Sequence, residues 1–414
     1  MKRIVPTLLS LCAATAFAAN VGHLAAVSNV SFTQDAQQDV IVTYDLANNG
    51  EPAFVTFDVL TNGVPLPVAA VQSVTGDVST SLTDFVADGP GKTIRWKART
   101  DWKGHLGENA SVIVSAHYTN HIEGVYLRID VTGGMDASSW PYHFGAVAPD
   151  VTSKAFLWDE LWFKCVPGGT FLMGSPKDEL GRGSDEIQHQ VTISKPFFIG
   201  ITPVTRKQWK NMGGSIQTLT LEGMEAVPAG KIRYSYDGTS NTRCDTLLAR
   251  LRTKTGLPGF NLPTEAQWEY AARADTQGVW ADGSPWDPDR TTSNYAVSTN
   301  LHLQAWYQGN AGTTVDVHPV AQKAPNAWGL YDFHGNVWEF CRDCKREYTA
   351  EPVVDPIGVI AYVGTNCVIR GGSKDTPAYG CRVARRNVSG EIGLKTSSAT
   401  DNRDTNGARF VLEF

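Results

Sequence analysis

Nine of the chain's twelve tryptophans fall between Trp158 and Trp338, in a stretch rich in glycine and poor in helical periodicity. Three short helices are readable there. "TRKQWKNM" from Thr205 and "TEAQWEYAARA" from Thr264 each open on Thr-x-x-Gln, a pattern in which the side chains satisfy the free N–H groups of the first turn. "TLLARLRTK" from Thr246 carries an apolar stripe at Leu247, Leu248 and Leu251 and stops near Gly256. The remainder reads as short strands and long ordered loops. A domain with so little regular structure needs other staples: buried tryptophan, disulfides or bound cations.

The chain before this stretch has a different character. "DVIVTYDL", "PAFVTFDVLTNG", "KTIRWKART", "ASVIVSAHYT" and "GVYLRIDVTGG" are β-branched or aromatic runs separated by turns such as Asn48-Asn49-Gly50 and Thr61-Asn62-Gly63. That spacing predicts an all-β sandwich of immunoglobulin-like type over residues 20–135. No catalytic constellation is visible in it, and Asp35, Asp39 and His117 read as surface residues. A Gly/Ser/Pro-rich connector follows at 136–158, and the second domain runs over 159–414. The fold class expected for the whole chain is α+β.

"MKRIVPTLLSLCAATAFAAN" has Lys2 and Arg3, an apolar run and Ala16-Phe17-Ala18, which predicts a cleaved signal peptide over residues 1–18. The run is too short to span a membrane, and no later segment reads as a transmembrane helix. The expected location is periplasmic, secreted or cell-surface. The formal net charge of −6 and the lack of a Lys/Arg-rich block argue against nucleic acid as a partner.

Beyond the signal, Cys165, Cys244, Cys341, Cys344, Cys367 and Cys381 remain. In an exported protein the default reading is disulfides, whose connectivity the spacing leaves open. Cys341-Arg-Asp-Cys344 lacks the helix N-terminus that lowers a redox thiol's pKa. No second CxxC or His pair completes a zinc site.

Seven phrases then occur in order: "CVPGGTFLMGSP", "HQVTISKPFFIGITPVTRKQW", "NLPTEAQWEYAARA", "KAPNAWGLYDFHGNVWEFCRD", "VIRGGS", "CRVARR" and "NGARF". Together, from Leu161 to Phe414, they resemble the formylglycine-generating enzyme, or sulfatase-modifying factor, family. The resemblance implies a fold related to C-type lectins and poor in regular structure. Its enzymes oxidise a sulfatase cysteine to formylglycine with oxygen and copper held by two cysteines. Many relatives keep the fold without the chemistry.

Residue by residue, the resemblance implies a structural calcium at "YDFHGNVWEF". Its ligands would be the Asp332 and Glu339 side chains and the Gly335 and Val337 carbonyls, a donor set that suits a hard cation. A second calcium would begin at Asn294 and Tyr295. It also suggests pairing Cys341 with Cys381, which leaves Cys344 for Cys367 and Cys165 for Cys244. The family's first copper cysteine aligns with Thr376, after Ser373. Counting forward puts the second on Cys381, and counting back from "RVARR" puts Cys381 in the scaffold. Either way at most one of two thiolates is present, and a hydroxyl does not replace a thiolate on soft Cu(I). Copper is therefore not expected. Ser373, Thr376 and Cys381 read as a vestigial groove with no catalytic residue.

His189, His302, His318 and His334 stand singly and read as structural or exposed. Arg370, Arg382 and Arg385 are expected to bond loop carbonyls and carboxylates. The favoured reading is a non-catalytic exported module, stabilised by calcium, that binds a protein or glycan ligand. The alternatives are an oxidoreductase of the formylglycine-generating type and a diversified ligand-display protein.

Overall fold

The computed structural model describes residues 25–103, 110–119, 122, 124–215, 223–230, 232, 244–287, 297–312, 317–358, 367–388 and 405–414. The expected signal peptide and the expected second calcium ligands, Asn294 and Tyr295, lie outside them. The chain divides into two compact units. One takes the residues up to Asp130 with Trp140–Asp150, and the other takes Val131–Ser139 with Val151–Glu413.

The first unit is β-rich. Its antiparallel strands include Ala26–Gln34, Val40–Ala47, Ala53–Thr61, Gly89–Trp96, Ala110–Tyr118, Tyr126–Asp130 and Tyr142–Gly145. The first, second and fourth belong to one four-stranded sheet, the third and fifth to a three-stranded one, and the last two pair with each other. Asn62 and Gly63 both have positive φ, so the two-residue turn pairs Thr61 with Val64. Val42, Tyr44 and Leu46 from one sheet share a core with Val55, Phe57, Val112 and Val114 from the other. The Tyr142–Gly145 strand falls inside the stretch that reads as connector in the sequence.

Asp35 and Asp39 pair with half-exposed Arg95 at the surface. His117 departs from its surface reading. It is partly buried, its Nε2 lies in the interior without a hydrogen-bond partner, and burial lowers its pKa to about 4. It belongs near a buried group centred on Asp58, with Arg128 Nη2 at 3.6 Å and His143 Nε2 at 3.4 Å from Asp58 Oδ1. Burial pushes the Asp58 carboxyl up, but these neighbours outweigh it and leave it lowered.

The second unit is built from short strands. Glu160–Val166, Phe197–Gly200, Val411–Leu412 and Phe260–Asn261 adjoin in that order. Gly169–Met173 pairs with His189–Ile193, which pairs in parallel with Val353–Val354. Asn387–Val388, Cys367–Arg370, Trp338–Cys344 and Asn406–Gly407 form the sheet that carries the site.

Two helices form where the capping pattern predicts. Arg206–Asn211 and Glu265–Arg273 each have a complete capping box, from Thr205 with Gln208 and from Thr264 with Gln267. The third runs Cys244–Thr255, two residues earlier than its stripe suggests, and buries Leu247, Leu248 and Leu251. A fourth, Thr299–Gln304, is capped by the Ser298 hydroxyl on the Leu301 N–H.

Trp209, Trp268 and Trp280 are fully buried, so tryptophan does act as a staple. The cysteines do not: none of Cys165, Cys244, Cys341, Cys344, Cys367 and Cys381 is joined in a disulfide in this structure. Cys341 shares its surroundings with Asp343, Glu265 and Arg370, whereas Cys381 packs among Trp280, Trp286, Leu301 and Tyr307. None of the expected Cys341–Cys381, Cys344–Cys367 and Cys165–Cys244 bonds is therefore formed in this structure. The second staple is a set of buried arginine–carboxylate pairs.

Candidate functional site

The Cys367–Arg370 strand runs antiparallel to Trp338–Cys344, with Arg370 opposite Glu339. Gly371 and Gly372 then leave it at φ +88° and +79°, a conformation that side chains rarely adopt. Space requires glycine as well. A Cβ on Gly372 would lie 2.5 Å from Cys381 Sγ, and one on Gly371 would lie 2.8 Å from the Phe333 carbonyl oxygen. The double glycine therefore lets the loop press onto Cys381.

Ser373 and Thr376 close a small turn. The Ser373 N–H donates to Thr376 Oγ1 at 2.9 Å, and the two hydroxyls lie 3.0 Å apart. Thr376 is thus committed to its own loop. The chain next forms a short 3-10 turn, Ala378–Cys381. Cys381 is fully buried in an apolar cluster that includes Trp280, Trp286 and Tyr307 and, among the described residues, no second sulfur. Its Sγ lies 3.8 Å from the Thr376 carbonyl oxygen, and burial pushes its thiol far up. Such burial keeps a thiol protonated at neutral pH and away from solvent.

His334 sits beneath this turn with both ring nitrogens in use. Nε2 accepts the Ala281 N–H at 2.8 Å, so Nδ1 carries the proton and donates to the Cys381 carbonyl at 2.6 Å. His189 follows the same logic, with Nδ1 on the Ile187 carbonyl and Nε2 facing Arg346 at 3.1 Å. His318 stacks on Trp306 at 3.9 Å, and His302 lies against Tyr307. Among the described residues, none of these imidazoles joins a group of three His, Cys, Asp or Glu side chains that could hold a metal ion. Cys341 and Cys344 share a β-strand, not a helix N-terminus.

Around the loop lie four arginines buried to 0–1% exposure: Arg370, Arg382, Arg386 and Arg409. Arg382 donates from Nη1 and Nη2 to the two Glu186 oxygens at 2.8 Å and reaches Glu179 and the Gly181 carbonyl. Arg370 pairs with Glu269, whose other oxygen accepts Arg273 and the Gly174 N–H. Burial pulls the Arg370 pKa down, but Glu269 and Glu265 outweigh it and leave it raised. Burial likewise pushes Glu265 up, and Arg386 with Arg370 brings it down overall.

Arg370 and Arg382 act as the sequence suggests. The third buried residue of this run is Arg386 rather than Arg385, which is partly exposed. The carboxylate partners escaped sequence reasoning. A signal exists for two of them: Glu265 and Glu269 are four residues apart on a capped helix that also carries Trp268, so they share its inward face.

Asp332 and Glu339 are brought close enough for the Glu339 charge to raise the Asp332 pKa. Burial is the main cause of that rise, to about 6, against the Ala321 N–H and Arg409. Asp332 Oδ2 accepts the Ala321 N–H at 2.7 Å. Glu339 is already engaged: Arg409 donates to both oxygens at 2.9 and 3.0 Å, and Trp268 Nε1 donates to one at 2.8 Å. Gly335 turns the backbone between them at φ +67°, and the Val337 side chain packs with Val227 and Val317. The donor types fit a hard cation, since Asp332 is a buried carboxyl short of positive charge, and Arg409 is the competing cation. Among the described residues, no three His, Cys, Asp or Glu side chains converge on a metal position. Calcium would therefore depend on backbone carbonyls as well.

Several known proteins are similar to this chain. The chain is 34% identical over 161 residues to the formylglycine-generating enzyme of Streptomyces coelicolor, covering 34% of this chain and 48% of that enzyme, so it spans about half the enzyme's length. It is 27% identical over 277 residues to the inactive C-alpha-formylglycine-generating enzyme 2 of Bos taurus, covering 57% and 84%. Among solved structures, PvdO from Pseudomonas aeruginosa matches with 26% identity and a TM-score of 0.45, covering 61% of this chain and 95% of that one. The sulfatase-modifying factor enzyme 1-like domain matches residues 163–397, more than half of the chain. On that match, the chain belongs to the sulfatase-modifying factor enzyme 1-like family.

Proposed function

We propose that the family domain of this chain is a non-catalytic module that binds or assembles with a protein or glycan partner outside the cytoplasm. One observation carries this reading. Thr376, which the resemblance aligns with the family's first copper cysteine, has its hydroxyl bonded to Ser373, and Cys381 is buried beneath the loop. A relative named as inactive lends the reading support. The signal-like N-terminus, with Ala16-Phe17-Ala18, supports export. The two sheets and shared core of the first unit support an immunoglobulin-like accessory domain. The block order supports a C-type-lectin-related fold for the second.

Calcium belongs to the same reading as a structural ion held by Asp332, Glu339 and the Gly335 and Val337 carbonyls. The face available to a partner carries exposed Asp375 and Tyr379. The deciding experiment incubates the purified chain with Cu(I), oxygen and a peptide containing Cys-x-Pro-x-Arg, and follows the peptide mass. The expected result is an unchanged peptide. Formylglycine formation would sink the non-catalytic reading and favour the oxidoreductase.

A further inference from the structure

The antiparallel ladder between Trp338–Cys344 and Cys367–Arg370 does more than position Arg370. After a bulge, its last matched pair is Cys344 with Cys367. Directly opposed residues in such a ladder have Cα atoms roughly 4.5–5.5 Å apart, and a disulfide accepts Cα separations of about 4.4–6.8 Å. The chain leaves the ladder at Cys344 and returns at Cys367. The excursion carries Val353–Val354, which pairs with the His189–Ile193 strand, and Asp355, which accepts from the Ser194 N–H and hydroxyl.

We propose that Cys344 and Cys367 are an oxidative modification site, at which a cross-strand disulfide closes the 345–366 excursion onto the sheet. Exposure sets the order of events. Cys344 is partly exposed, whereas Cys367 is buried. Cys344, as thiolate, attacks a disulfide oxidant such as oxidised glutathione. This forms a mixed disulfide and releases one glutathione thiol. The Cys367 sulfur then attacks Cys344, gives up its proton to solvent and displaces the second glutathione. Two thiols are oxidised and one glutathione disulfide is reduced to two thiols.

Burial and the neighbouring Cys344 push the Cys367 thiol up to about 12, so the second step is the slow one. Cys244, fully buried and within electrostatic range of Cys367, is the competing partner.

The test uses the full chain, reduced, then treated with oxidised glutathione, alkylated and digested with trypsin without reduction. Cleavage after Arg342, Lys345 and Arg346 separates Cys344 from Cys341 and places Cys344 and Cys367 on different peptides. The expected product is Asp343–Lys345 joined to Glu347–Arg370, with the intact mass lower by two hydrogens. The same link should vanish in Cys344→Ser. A Cys367–Cys244 link, a Cys341-containing link, or Cys344 left as a stable glutathione adduct would each overturn the proposal. If Cys344→Ser fails to fold, the wild-type peptide map still decides the matter.

Discussion

Arg386 closes on Glu265 with two parallel hydrogen bonds, Nε to Oε1 and Nη2 to Oε2, each 2.8 Å, although 121 residues separate them in the chain. The guanidinium also lies 3.5 Å from the Tyr348 ring centroid and donates to the Asp185 and Arg346 carbonyls. Such a fork ties three loops to one helix in a way that a lysine's point charge does not. Removing one partner leaves the other charge buried and unpaired. Arg386→Met or Glu265→Gln should therefore cost about 3–5 kcal/mol each. The double variant should cost clearly less than their sum, and Arg386→Lys should rescue little. Denaturant unfolding of all four proteins measures this, and additive losses would show that the pair is not coupled.

Gly372→Ala tests the seat of the double glycine. The substitution meets Cys381 Sγ at 2.5 Å and forces a side chain into φ +79°. The expected loss is about 1–2 kcal/mol for the backbone plus about 1–3 kcal/mol for the clash. Adding Cys381→Ala should recover the clash part alone. Full recovery in the double variant would mean that the backbone tolerates alanine.

The β-rich unit should weaken in mild acid. The His117 pKa is lowered to about 4 by burial, with Asp58 opposing, against about 6.5 in the unfolded chain. Between those values the unfolded state binds the extra proton, so stability rises with pH and is lost as pH falls from about 6.5 towards 4. His117→Gln should flatten the melting temperature of this unit across that window. A wild-type profile equally steep in the variant would assign the effect to other groups, such as His143.

Calcium, if held at Asp332 and Glu339, should raise the melting temperature of the second unit and be lost to a chelator. By mass action a ligand at a hundred times its dissociation constant stabilises by about 2.7 kcal/mol. Asp332→Ala should abolish the shift. Calorimetry that is blind to both calcium and chelator would leave Arg409 as the sole cation of this cluster.

The two capped helices and the strand runs of the first unit were legible from local rules, because capping boxes, alternation and Asn-Gly turns act over a few residues. The helix from Cys244 began two residues earlier than its apolar stripe suggests, because Cys244 also faces the core. The choice of Arg386 over Arg385 was not legible, since adjacent arginines look alike until the fold buries one of them. The same holds for Glu179 and Glu186, which meet Arg382 across about two hundred residues.

The amino-acid sequence alone determined the family and the two-part organisation, because each is written in residue identity and order. Only the tertiary structure decided what holds the second unit together. It set arginine–carboxylate forks around buried tryptophans, placed Cys344 opposite Cys367 and sealed Cys381 under its loop. Those outcomes depend on which distant groups share a dry interior, where an unpaired charge is costly and a geometrically matched pair is retained.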